Sequence, residues 1–110
     1  MADFKRVSAD EARVLIDDDG ATVVDVRDPE SFAATRMEGA RHLDGAGLPG
    51  FLDGADPAVP VIVCCYHGHS SQAAAALLAE RGIERVYSLD GGFTGWAARW
   101  PDDVEGDAAG

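Results

Sequence analysis

Apolar residues in this chain fall into short runs, each followed by a stretch in which they return every three or four positions. Thr22-Val23-Val24-Asp25-Val26 is short and β-branched, the pattern of a buried strand. Val61-Ile62-Val63-Cys64, entered through Pro60, is the clearest strand, and Arg85-Val86-Tyr87-Ser88-Leu89 reads as the last. Phe4–Val7 makes a short first strand and Arg41-His42-Leu43 a brief one. Helices with legible ends lie between them. Ser8 and Glu11 form a capping box that opens a helix with Ala12, Leu15 and Ile16 inward and Asp19-Gly20 at its close. Asp28 as N-cap and Pro29 at the first helical position start the next. The Gly-rich stretch 45–54 holds at most one short helix, around Leu48–Leu52. Ser70 or Ser71 caps a helix through Gln72, Leu77 and Leu78, which Gly82 ends. Asp90-Gly91-Gly92 turns into a final helix with Phe93, Trp96 and Trp100 as core residues at helical spacing, stopped by Pro101.

Alternation of strand and helix with short connections predicts an α/β fold. The expected architecture is an open, largely parallel five-stranded sheet with helices on both faces. Residues 1–101 form one domain in this reading. Residues 102–110 are acidic and small and are expected to fray.

Charge narrows the partners. Twenty acidic and nine basic side chains leave a net charge of −11, a field that repels phosphate backbones and anionic lipid. Nucleic acid and membrane are therefore not expected partners, and no run approaches the roughly 20 apolar residues of a membrane span. The acidity is mostly aspartate, with Lys5 the only lysine, a bias consistent with salt adaptation or with genome composition. The N-terminal Met1–Arg6 lacks the apolar core of a signal peptide. The two cysteines, Cys64 and Cys65, are adjacent; a bond between them would be strained, so both read as thiols in a reducing compartment. A cytoplasmic location follows as an expectation.

The candidate chemistry sits at Cys64-Cys65-Tyr66-His67-Gly68-His69-Ser70-Ser71, where the clearest strand runs into its helix. In open α/β sheets ligands bind beyond the carboxyl ends of the strands. A cysteine there meets the free N–H groups and positive dipole end of the helix, and both favour thiolate over thiol. Lowering a thiol pKa from about 8.5 to about 6.5 takes about 2.7 kcal/mol. A helix end plus two or three charge-assisted hydrogen bonds supplies energy of that order. Strand side chains alternate, so only one of the pair points into the loop and the other is read as core.

Three segments carry a resemblance. Cys65-Tyr66-His67-Gly68-His69-Ser70 resembles the six-residue active-site loop of the rhodanese family, especially its single-domain, thiosulfate-using members. Val24-Asp25-Val26-Arg27-Asp28-Pro29-Glu30-Ser31-Phe32 is similar to the family's upstream signature, and Leu89-Asp90-Gly91-Gly92-Phe93-Thr94-Gly95-Trp96 to its closing one. The three occur in the family's order between Phe4 and Pro101. What the resemblance implies is a thiosulfate sulfurtransferase working by double displacement. Cys65 thiolate takes the outer sulfur of thiosulfate, sulfite leaves, and the persulfide rests on loop amides between Tyr66 and Ser70. A thiophilic acceptor (cyanide in the usual assay, a thiol or thioredoxin-type protein in the cell) then removes the sulfur. Neither cofactor nor metal is implied. Where the family often has Gly-His after the upstream signature, this chain has Thr35-Arg36.

Other residues carry two readings each. His67 and His69 alternate with Cys65 and could present a metal set, but a loop curled around the sulfur spreads its side chains outward, so the imidazoles are expected to border the site. Gly68 supplies a backbone conformation that a Cβ would obstruct. The hydroxyls of Ser70 and Ser71 either cap the helix or bind the substrate anion. Arg27 either attracts thiosulfate or forms a surface ion pair with Asp28 or Glu30. Asp25, within an apolar strand, is expected to fix nearby backbone. Two rival functions remain. One is a sulfur-carrier or regulatory module acting on a protein partner. The other is a cysteine phosphatase or arsenate reductase; Cys-x5-Arg phosphatases grip phosphoryl oxygens with a guanidinium, and no arginine follows either cysteine before Arg81.

Overall fold

The computed structural model describes residues 3–106. In chain order it forms β1 (Lys5–Val7), α1 (Ala9–Asp19), β2 (Thr22–Asp25), α2 (Pro29–Ala34), β3 (Arg36–Met37) and β4 (Arg41–His42). These are followed by α3 (Leu48–Gly54), β5 (Val61–Cys64), α4 (Ser70–Glu80), β6 (Val86–Leu89), α5 (Gly92–Arg99) and β7 (Val104–Glu105). Five strands make one sheet in the order β1-β6-β5-β2-β4, with every neighbouring pair parallel. The expected five-stranded α/β architecture is what the chain adopts.

Strand alternation divides the core in two. On one face, Val24, Val61, Val63 and Val86 pack against Phe51 of α3 and Ala75 and Leu78 of α4. On the other, Val23, Ile62, Cys64 and Leu89 pack against Ala12 of α1 and Phe93 and Trp96 of α5. β5 lies at the centre, buried along its whole length because it has a strand on each side and helices above and below. Its carboxyl end is thereby held rigidly, which is what a site built on it requires.

The local signals for α1 and α2 operate as the residues suggest. Ser8 Oγ accepts the Glu11 N–H at 3.1 Å, and the Glu11 carboxylate accepts the Ser8 N–H at 3.0 Å. Asp28 caps α2 by accepting the Ser31 N–H at 3.0 Å, with Pro29 in the first turn.

Two expectations are corrected. Neither Ser70 nor Ser71 caps α4: the N-cap position is His69, which makes no side-chain cap hydrogen bond, and Ser71 is wholly buried inside the first turn. The chain beyond Pro101 does not fray at once either. Val104–Glu105 pairs antiparallel with Arg36–Met37, and the Trp96 indole N–H donates to the Asp103 carbonyl at 3.2 Å. Small acidic residues offer no local drive to order, but a ladder and an indole donor supplied by distant chain do. Residues 107–110 lie outside the described residues.

Candidate active site

The site begins one residue past β5. Cys65 is 4% exposed, and the loop that follows curls back over its sulfur. The Gly68 N–H donates to Cys65 Sγ at 3.1 Å, and the thiol lies 3.3 Å from Ser71 Oγ, to which it donates. Burial by itself would raise the Cys65 pKa. The Ser71 hydroxyl and the backbone N–H groups of Ser71, Gly68 and His67 outweigh it, so the thiol ionises below its ordinary value. Cys64 is the opposite case. It is fully buried, and burial together with the Asp25 charge pushes its thiol far upward. An inert thiol and an activated one stand on adjacent residues.

The loop is shaped from behind by α5. The Phe93 N–H donates to the Cys65 carbonyl at 2.7 Å and the Thr94 N–H to the Tyr66 carbonyl at 3.1 Å. First-turn amides of a helix have no partner within it, and here loop carbonyls take them. A trans peptide points its N–H away from its C=O, so anchoring the Tyr66 carbonyl on α5 turns the His67 N–H toward the sulfur. Gly92 makes this approach feasible. Its φ is +57°, and a Cβ there would overlap the Cys65 carbonyl and stand 2.5 Å from that of Tyr66. Gly68 has φ +92°, and a Cβ would meet the Leu89 carbonyl oxygen at 3.0 Å. The expectation of backbone freedom at Gly68 is met.

Over the sulfur opens a cavity of about 300 Å³, with Arg27 and Asp28 on one wall and Tyr66, His67, His69 and Ser70 on the other. Both histidines are exposed and border it. Among the described residues no three metal-binding side chains come together.

Known proteins resemble this chain in sequence and in fold. Residues 8–99 match the rhodanese-like domain family. The chain belongs to the rhodanese family. It is 52% identical over 107 residues to the thiosulfate sulfurtransferase GlpE of Stutzerimonas stutzeri (strain A1501), with 97% of each chain covered. It is 48% identical over 104 residues to the protein of the same name from Pseudomonas fluorescens (strain Pf0-1), with 94% of each covered. The solution structure of the rhodanese-like domain from the Anabaena Alr3790 protein superposes with a TM-score of 0.82 at 22% identity, over 94% of this chain and 80% of that one. A crystal structure of thiosulfate sulfurtransferase from Pseudomonas aeruginosa gives 0.81 at 20% identity, over 98% of this chain and 20% of that one. These two likenesses show a shared fold.

Within this rhodanese domain, Arg27 differs from its surface-pair reading. Its side chain is 2% exposed and its partner is Asp25, not Asp28 or Glu30. Arg27 Nε donates to both Asp25 oxygens at 3.0 Å and Nη2 donates to one at 2.8 Å. Nη2 also donates to the Thr35 carbonyl at 2.7 Å, so the Thr35-Arg36 segment serves this network through its backbone. Asp25 fixes backbone as expected, accepting the Arg27 N–H at 2.9 Å. The guanidinium lies 4.3 Å from the Phe93 ring centroid and 5.2 Å from that of Tyr66. The Tyr66 hydroxyl in turn hydrogen-bonds the Ser31 hydroxyl, tying the loop to α2.

Sequence reasoning missed three contributors: the α5 amides, Ser31, and Ser88, whose hydroxyl lies 2.8 Å from that of Ser71. Ser88 carried a weak signal as a hydroxyl within an apolar strand. The role of Gly91-Gly92 was present only as part of a signature, since the contact it permits is with chain far away.

Proposed function

We propose that Cys65 moves the sulfane sulfur of thiosulfate to a thiophilic acceptor through a persulfide, making the protein a thiosulfate sulfurtransferase. The observation that carries this reading is the sulfur itself: a buried thiol held toward ionisation by amides and a hydroxyl, at the floor of a small cavity. The near-full-length likeness at about half identity to proteins named thiosulfate sulfurtransferase supports it.

In the first half-reaction the Cys65 thiolate attacks the outer sulfur of thiosulfate. The S–S bond of thiosulfate breaks and its electron pair leaves with sulfite, while Cys65 becomes a persulfide anion. In the second, the acceptor attacks the terminal sulfur and the electron pair returns to Cys65 Sγ. Both resting forms are anionic, and preformed dipoles aimed at one point stabilise both without reorganising. Arg27 lends its charge to the cavity wall; with Nε and Nη2 committed to Asp25 and Thr35, its part in attracting the thiosulfate dianion is mainly through the field. Cyanide serves as acceptor in vitro, and a low-molecular thiol or thioredoxin-type protein in the cell. Two free thiols suit a reducing cytoplasm.

Intact mass after incubation with thiosulfate tests the reading. The protein should gain one sulfur and lose it to cyanide. Cys65→Ser should gain none, and Cys64→Ala should gain it as the unmodified protein does. Folded Cys65→Ser that still took up and released the sulfur would overturn the assignment.

A further inference from the structure

Behind the nucleophile, the Ser71 hydroxyl is itself hydrogen-bonded to a second, deeper hydroxyl. Ser71 Oγ is 3.3 Å from Cys65 Sγ and 2.8 Å from Ser88 Oγ, and both serines are completely buried. Ser88 is the register partner of Val63, so it stands on the α4 face of the sheet, under the first turn of that helix. Seventeen residues of chain separate the two serines. Among the described residues Ser88 Oγ has no hydrogen-bond partner except Ser71.

We propose that Ser88 is a positioning residue for sulfur transfer, its hydroxyl acting through Ser71 to hold the Ser71 proton on Cys65 Sγ. The proposal rests on Cys65 as the sulfur-carrying residue. Each serine has one proton and can accept two hydrogen bonds. When Cys65 is a thiol, its proton goes to Ser71 Oγ and the Ser71 proton points to Ser88. When Cys65 is a thiolate it accepts only, so Ser71 turns its proton to the sulfur. Ser71 Oγ, wholly buried, then loses the donor it had and needs another. Ser88 is placed to be that donor. The chain reverses direction as the sulfur charges; in the thiol state the Ser88 proton has no acceptor, and in the thiolate state every proton of the chain is donated. The reversed chain is the stronger one, because it ends on an anion and each bond polarises the next.

The same chain serves the second half-reaction. The acceptor bonds to the outer sulfur, the Cys65 Sγ–S bond breaks, and its electron pair comes to rest on Sγ. That atom, not the outer sulfur, is the one Ser71 touches. The hydroxyl pair, like the Gly68 N–H, is thus aimed at the leaving thiolate.

The other groups around the sulfur are Tyr66, His67 and His69 of the loop, Arg27 and Asp28 across the cavity, and Cys64 with Asp25 behind it. Ser88 touches none of them through a hydrogen bond, so a change there reads the hydroxyl chain. The experiment is the pH dependence of Cys65 alkylation in the full chain carrying Cys64→Ala, with Ser71→Ala, Ser88→Ala and both together. Ser71→Ala should raise the midpoint by about one pH unit and Ser88→Ala by about half a unit. Adding Ser88→Ala to Ser71→Ala should change nothing further. Below the midpoint, Ser88→Ala should slow sulfur transfer about threefold, the loss in thiolate fraction that half a unit represents.

A second pair guards against misfolding at a buried position. Ser88→Thr and Ser88→Val have the same shape, suit a strand and differ only in the hydroxyl. Ser88→Val should show the raised midpoint and Ser88→Thr the native one. Equal midpoints in Thr and Val, or a Ser88→Ala shift that persists without Ser71, would overturn the proposal. Alkylation needs no thiosulfate, so a failure of persulfide formation would strike the proposed function while leaving this measurement readable.

Discussion

The turns after β2 and β5 leave neighbouring parallel strands at the same edge of the sheet, and both enter helices. They handle their backbone donors in opposite ways. After β2, carboxylates take them: Asp25 accepts the Arg27 N–H and Asp28 accepts the Ser31 N–H. After β5 there is no carboxylate from Cys65 to Ser71, and α4 starts without a side-chain cap. The donors of that turn are left for an anionic sulfur instead. A capping side chain in the turn after β5 would satisfy the helix locally, but it would compete with the Cys65 sulfur for the same amides. Withholding a cap sacrifices some helix stability, and the clamp from α5 and the buried serines hold the loop in its place.

This contrast can be broken on either side. On the β2 side the largest effect is expected from Arg27→Met, which strands a fully buried Asp25 carboxylate. Loss of about 3–5 kcal/mol of unfolding free energy should appear in denaturant titrations. Much of it should return with Asp25→Leu added, because an apolar pair leaves no buried charge. A single variant as stable as the native protein would mean that the pair does not hold this turn together.

On the β5 side, Gly92→Ala places a methyl group against the Cys65 and Tyr66 carbonyls. The clamp must open, and the amides aimed at the sulfur move with it. A fall of about a hundredfold in kcat/KM for thiosulfate is expected, of the size that ångström-scale misplacement produces. The alkylation midpoint of Cys65 should rise in the same variant. Native kinetics would show that α5 does not shape the loop.

The smallest effect sharpens the comparison. Asp28→Ala removes the cap of α2, and a modest fall in thermal midpoint is expected at neutral pH. Hydrogen bonds from the Ser31 hydroxyl and N–H hold the Asp28 carboxyl below its ordinary value of 3.8. A carboxylate whose pKa is lower folded than unfolded adds stability above the unfolded value and loses it as pH falls through the folded one. The difference between Asp28→Ala and the native protein should therefore persist at neutral pH and shrink in strong acid, as measured by melts across that range. A gap that stays constant into strong acid would mean that charge on Asp28 is not what caps the helix.

What the chain by itself determined was everything governed by near neighbours. Strands β2 and β5 were legible from β-branched runs, β6 from a short apolar run, α1 and α2 from their caps, and Cys65 from its place between a strand and a helix. Strand alternation required one of the two cysteines to be core, and the loop resemblance beginning at Cys65 made it Cys64. Only the tertiary structure decided how the donors are shared. The pairing of Ser71 with Ser88, the α5 amides on loop carbonyls, the burial of Arg27 on Asp25 and the ladder between β3 and β7 all depend on how packed elements meet. A cap motif is visible in sequence because donor and acceptor are three residues apart. A serine left uncapping its helix is visible only once the distant hydroxyl that claims it has been brought to hydrogen-bond distance.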